Sequence, residues 1–225
     1  VEDFIAKLSP AVAKFCEGPV EGLPRYPANT YSNLAPILAG VVILYLARHQ
    51  SRGLRMLGWA TVYTGVASGI FHATDTFVGE ILDLSGMYLF ILTCLGLQLR
   101  RFHKLPRGRV VLFAIGSCVL CTAFSVWQIY LATPIFAVVV TAVILLELTS
   151  TAITYRYAYY CVFWLLAALA FWLLDFFHIW CDPDNHLVNG HSLWHLLSGL
   201  VFFFAYLHFA ANSPQQAAAQ TPATA

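Results

Sequence analysis

The sequence predicts an all-α integral membrane protein: a bundle of seven transmembrane helices, with its N-terminus outside and its C-terminus in the cytoplasm. Three observations carry this. Of the 225 residues, 60% are hydrophobic and 10% are charged, where soluble domains carry about 25% charged residues. The apolar residues fall in continuous runs and do not alternate, which selects helices over a barrel. Basic residues collect in every other loop. The mean hydropathy of +0.72 excludes a disordered chain. The near-balance of 12 Lys+Arg with 11 Asp+Glu leaves no basic surface for nucleic acid. Six cysteines in 225 residues are too scattered for a small disulfide scaffold.

Residues 1–30 form the first segment, predicted to be extracytoplasmic. Glu2, Asp3, Glu17 and Glu21 interrupt any apolar core there, so it reads as an irregular or amphipathic cap and not as a signal peptide. The membrane domain covers 31–212. A spanning helix needs about 20 mostly apolar residues, and seven runs qualify: 33–47, 54–72, 80–99, 110–127, 130–148, 159–180 and 191–211. Span one is short and begins at or before residue 33. Spans four and five are separated only by Gln128 and Ile129, so their turn is tight. Residues 213–225, rich in Ala, Gln, Thr and Pro, are predicted to be a disordered tail.

Loop charges set the orientation. Arg48, Arg52 and Arg55 follow span one. Arg100, Arg101, Lys104, Arg107 and Arg109 follow span three, and Arg156 follows span five. The opposite loops carry Asp75, Asp182 and Asp184 and no Lys or Arg. The positive-inside rule places the basic loops in the cytoplasm, against a modest counter-signal from Lys7, Lys14 and Arg25.

Ionisable groups at membrane depth are costly, so each asks for a reason. Span two ends in Ser68 and His72, span three opens with Glu80 and Asp83, span six closes with Asp175, and span seven opens with His191 and His195. With seven spans, the ends of even helices and the starts of odd ones lie on one side, so these residues converge at one face. By the loop charges that face is the outer one. His191 and His195 are four residues apart and project from one helical face. With His72 they are a three-histidine donor set with an open position, the pattern of a catalytic Zn²⁺ site. A zinc ion so held acidifies water to near neutrality. Asp83 can take a proton and pass it to a leaving group, and Ser68 can donate to a developing oxyanion. The bland reading is a structural polar cluster or a proton path. Three His, an Asp and a Ser at one face weigh against it. Asp175 is a candidate to support a ligand histidine by accepting its N–H; the alternative is a polar contact between spans six and seven. Gly65-x3-Gly69 reads as a helix-packing face. Glu147 and Arg156 are within reach of the inner interface, and His208 lies toward the inner end of span seven.

These residues resemble the alkaline ceramidases, within the CREST superfamily of seven-span hydrolases. The match runs through Ser68-x3-His72, Asp83 eleven residues later, and His191-x3-His195. Flanking it are Cys16-Glu17, then Asn29-Thr-Tyr-Ser-Asn33, and Phe171-Trp-Leu-Leu-Asp175 through Cys181 to Gly190-His-Ser-Leu-Trp-His195. The resemblance implies hydrolysis of the ceramide amide to a sphingoid base and a fatty acid. It implies zinc on His72, His191 and His195, Asp83 as general base and acid, Ser68 at the oxyanion, and a membrane lipid substrate entering laterally. It also implies a Cys16–Cys181 disulfide; the alternative for Cys16 is a free thiol. Animal relatives bind calcium near the Cys-Glu pair. Here the neighbours of Glu17 are Lys14, Phe15, Gly18, Pro19 and Val20, too few oxygen donors for Ca²⁺, so no calcium site is expected. Two alternatives share the superfamily. A lipid esterase or phospholipase matches His72-Ala-Thr-Asp75-Thr76 with Glu80-Ile-Leu-Asp83. A non-enzymatic lipid receptor of the progestin and adipoQ type fits less well, given the short spacing from His72 to Asp83. The oligomeric state is open.

Overall fold

The computed structural model describes residues 10–103, 106–150 and 154–213. All but the first residue of the tail predicted at 213–225 thus lies outside the described residues. The regular structure of the described residues is helical, with only an isolated β-bridge between Pro10 and Thr76 besides, while residues 10–26 and 177–189 are irregular. A short helix α1 (Pro27–Ser32) leads through Asn33 into α2 (Leu34–Leu46). Then come α3 (Arg52–Thr74), α4 (Phe77–His103), α5 (Arg107–Trp127), α6 (Ala132–Leu148), α7 (Arg156–Phe176) and α8 (Gly190–Ala211). The tight link between α5 and α6 is a single 3₁₀ turn, Ile129–Leu131.

Among the described residues, six segments are long and apolar enough to cross a membrane: Pro27–Leu46, Phe77–Phe102, Gly108–Trp127, Ile129–Leu148, Arg156–Phe176 and Gly190–Ala211. The protein is therefore an integral multi-pass membrane protein. The seven-span expectation meets a difference at α3, which is long enough but too polar to join the six. Its polarity follows from its position. It packs between α2 and α4 and also touches α8, so its Thr61 and Thr64 face protein. Each hydroxyl there donates to the carbonyl one turn earlier, to Leu57 and Ala60, both at 2.8 Å. A Cβ on Gly65 would stand 2.7 Å from Ile37 Cγ1 and 3.0 Å from its backbone nitrogen, so glycine is what lets α3 lie against α2. At Gly69 the nearest atom would be 3.8 Å away, so only the first glycine of the pair makes the close contact.

The helices pack in the order α7, α8, α2, α3, α4, α5, with α6 outside against α4. Ile43, Leu54, Leu57, Tyr88 and Tyr206 are among the buried side chains of the shared core. In α6 only Ala132 and Glu147 are buried, one at each end. At the first, Tyr88 donates to the Ala132 carbonyl at 2.8 Å. At the other, Glu147 accepts from Arg101 (2.6 Å), Gln98 (2.6 Å) and His208 (2.6 Å). Glu147 thus does not reach to the interface as a solvated charge. It and His208 belong to an ion cluster fastening the far end of the bundle. That end is remote from His72, His191 and His195, which sit at the C-terminal end of α3 and the first turns of α8.

Candidate metal centre

α8 begins where its sequence commands. Asn189 is extended and caps the helix: its side-chain oxygen accepts the Ser192 N–H at 2.7 Å, while Ser192 Oγ accepts the Asn189 N–H at 3.0 Å. This reciprocal pair satisfies two N–H groups that a helix start leaves open. Gly190 comes next. A Cβ there would lie 2.5 Å from the Phe171 carbonyl oxygen and 2.8 Å from Asp175 Cβ. Only glycine lets the start of α8 rest on the end of α7, and that contact hands the His191 N–H to Asp175 Oδ2 at 3.0 Å. Gly190→Ala is expected to cost about 1–3 kcal/mol by overpacking. It should also loosen the histidine pair that follows. A thermal midpoint measured beside zinc content will check this: both should fall together.

Asp175 is fully buried. Its other oxygen, Oδ1, accepts the Cys16 N–H at 2.9 Å. Asp175 thus meets His191 through its backbone N–H, and each carboxylate oxygen accepts from a main-chain donor. Cys16 is in turn disulfide-bonded to Cys181, with Cα atoms 5.4 Å apart. The remaining cysteines among the described residues, Cys94, Cys118, Cys121 and Cys161, are free.

The three histidines meet. His72 Nε2 and His191 Nε2 stand 3.2 Å apart, and ligand atoms of His72, His191 and His195 all lie within 4.8 Å of one another. All three rings are buried. In a tetrahedral site with Zn–N of 2.0–2.1 Å, ligand nitrogens sit about 3.3–3.4 Å apart. The observed pair is close to that edge, and among the described residues these three are the only such group. The donor set therefore fits zinc. His195 is aimed from behind: its Nδ1 meets Ser32 Oγ at 2.8 Å and Asn33 Nδ2 at 3.3 Å. That leaves Nε2 for the centre, 3.5 Å from Ser68 Oγ. Ser68 also interacts with the carboxylate of Asp83. Ser68 thus stands beside His195, with Asp83 next to the serine.

Other acidic residues near this end serve structure. Glu17 is buried and accepts the backbone N–H groups of Ala28 (2.8 Å) and Asn29 (2.9 Å), so it caps α1. His186 at 3.2 Å and Asn189 at 3.4 Å complete its partners. Asp75, in the left-handed region at φ 51°, terminates α3 and accepts from Lys14 at 3.0 Å and from the Tyr26 hydroxyl at 2.9 Å. Burial, and then Asp75 itself, raise the pKa of the Tyr26 phenol above its ordinary value, which keeps it a donor. Glu80 accepts the N–H groups of Val12 and Ala13. Asp75 and Glu80, two of the three acids of the esterase-like motif, are thereby committed to the N-terminal segment. Reading the sequence missed Ser32 and Asn33 as partners of His195. Their one signal is their place in the Asn29-to-Asn33 run.

A family model described as Ceramidase matches residues 26–223. The chain belongs to the ceramidase family. Ceramide is the lipid whose hydrolysis names this family, and the buried three-histidine group lies inside the matched region. A recess of about 270 Å³, lined by Tyr31, Ser32, Leu187, Ser192 and Leu196 among others, opens beside α1 and the start of α8. Ser32 joins it to His195.

Proposed function

We propose that this ceramidase-family chain is a zinc-dependent intramembrane amidase that hydrolyses ceramide-like lipids to a sphingoid base and a fatty acid. The observation that carries the reading is the convergence of His72, His191 and His195, with Ser68 beside His195, in a chain of this family. A Zn²⁺ held by these three imidazoles would supply Lewis acidity and a water acidified to near neutrality.

The chain's own residues do the rest. Asp83 takes a proton from the water that adds to the amide carbonyl, and delivers it to the nitrogen as the C–N bond breaks. Water and amide are consumed; an amine and a carboxylic acid leave. Ser68 donates a hydrogen bond to the carbonyl oxygen as charge grows on it. Ser32 keeps His195 turned toward the centre by accepting its Nδ1–H. Asp175 holds the backbone of His191, and the Cys16–Cys181 bridge holds the segment that supplies its second partner.

The same reading makes α3 the seventh crossing helix, polar because its neighbours are protein. It places the metal end on the extracytoplasmic face, by the arginines of the opposite loops. It needs no calcium at Glu17, whose carboxylate already serves four nitrogen donors.

The test is a product assay with detergent-solubilised, zinc-replete protein. Ceramide and a phospholipid with matching acyl chains are supplied separately. Release of a sphingoid base from ceramide alone is expected. Release of fatty acid from the phospholipid alone would replace the amidase by the esterase reading. Turnover of neither, with zinc bound, would favour the receptor reading. Ser68→Ala should cut kcat by about 10²–10³ with zinc content unchanged, the loss seen when one oxyanion donor is removed.

A further inference from the structure

Residues 10–17 cross the histidine end of the bundle as a strap fastened at both sides. On one side the Ala11 N–H donates to the Asp75 carbonyl at 3.1 Å, and Val12 and Ala13 donate to Glu80 at 2.6 and 3.1 Å. On the other, Cys16 is held by Asp175 and by the disulfide to Cys181. Between these anchors the half-buried ring of Phe15 lies over the metal centre. It stacks on His191 with ring centroids 3.7 Å apart and planes at 30°, and stands 5.5 Å from His72.

We infer that Phe15 is a positioning residue of the metal centre: its ring fixes the imidazole of His191 in the orientation that turns Nε2 toward His72, and it covers the site on the strap side. The inference rests on the three imidazoles being a metal site and not on the identity of the substrate.

The ligands differ in what holds their rings, and His72 Nδ1, like His191 Nδ1, has no hydrogen-bond partner. A metal-binding imidazole is usually oriented by a hydrogen bond at its other ring nitrogen. His195 has that bond: its Nδ1–H donates to Ser32 Oγ at 2.8 Å. His191 Nδ1 has no hydrogen-bond partner and is buried. The last torsion of a histidine is broad and roughly two-fold, so an imidazole without such a bond needs another restraint. A stacked ring at 3.7 Å blocks that rotation. Aromatic pairs of this kind shift an equilibrium by roughly 2- to 12-fold. The strap explains why the ring stays in place: its two anchor groups, on α4 and on α7 with the following loop, fix the backbone around residue 15.

The experiment compares wild type, Phe15→Ala and Phe15→Trp, each loaded with Zn²⁺ and, separately, with Co²⁺ as a visible reporter. Expected for Phe15→Ala are metal affinity lowered roughly 2- to 12-fold in chelator competition and a changed Co²⁺ absorption spectrum. Phe15→Trp should recover both. Thiol counting and a thermal midpoint, run alongside, establish that the disulfide and the fold persist. Wild-type affinity and an unchanged spectrum in Phe15→Ala would overturn the inference, as would a lowered midpoint with both metal readouts unmoved. A wild-type chain that takes up no zinc would remove the metal reading and this inference with it. Zinc uptake tuned by Phe15 without ceramide turnover would uphold the inference and remove only the amidase reading.

Discussion

Replacing His191 by alanine will strip zinc from the purified protein and reduce ceramide turnover to background. The wild type should carry about one zinc per chain. Three imidazoles are the fewest protein ligands typical of a catalytic zinc, so two cannot hold the ion through purification. Loss of the ion removes transition-state stabilisation worth several kcal/mol. At 1.36 kcal/mol per factor of ten, about 4 kcal/mol is roughly 10³-fold in rate. His191 is a sharp choice because its backbone duties survive the change: Asp175 binds its main-chain N–H, which alanine retains. His208→Ala is the matching control. That histidine is equally buried in the same helix but pairs with Glu147 at the other end of the bundle. It should leave zinc content at the wild-type level. A His191→Ala protein that keeps both its zinc and its turnover would sink the three-histidine site.

What the sequence discloses about this site, and what it withholds, follows from how helices encode contact. A helix repeats every 3.6 residues, so the four-residue spacing of His191 and His195 already places two rings on one face. Parity of the spans then brings His72 and Asp83 to the same end. Both steps are local arithmetic. The partners behind the ligands are not. Ser32 meets His195 across 163 positions, and Cys16 meets Asp175 across 159. No periodicity encodes which foreign helix faces a given side chain. Asp175 shows the limit well: its placement near a ligand is legible, but which atoms it serves depends on Gly190 letting two backbones touch. The polarity of α3 is the opposite case. Residues 54–72 read as one more apolar run, yet α3 is too polar to join the six candidate spans, and what its polar residues face is known only from the packing of α2, α4 and α8 around it. Glu147 misled for the same reason, since a charge near a helix end reads as interfacial until its partners on α4 and α8 are known.

Asp83→Asn separates chemistry from metal binding. Asparagine keeps the shape and the ability to interact with Ser68 but cannot take up a proton from water at working pH. A general base or acid positioned in the transition state contributes typically 10²–10⁴-fold. Turnover of ceramide should therefore fall by about that factor, while zinc content stays at the wild-type value. The contrast with His191→Ala, where both fall, distinguishes a proton carrier from a ligand. KM should change little, because a step that moves protons in the transition state does not set substrate affinity. The measurement is steady-state kinetics on ceramide in mixed micelles, with metal analysis on the same preparation. Asp83→Glu provides a further discriminant: a carboxylate displaced by one methylene should recover part of the lost rate if proton transfer is the role, and none if Asp83 only packs against Ser68. Undiminished turnover in Asp83→Asn would exclude Asp83 as the base. The candidate would then have to be sought elsewhere, since the carboxylates of Glu80 and Asp175 are already engaged by backbone donors.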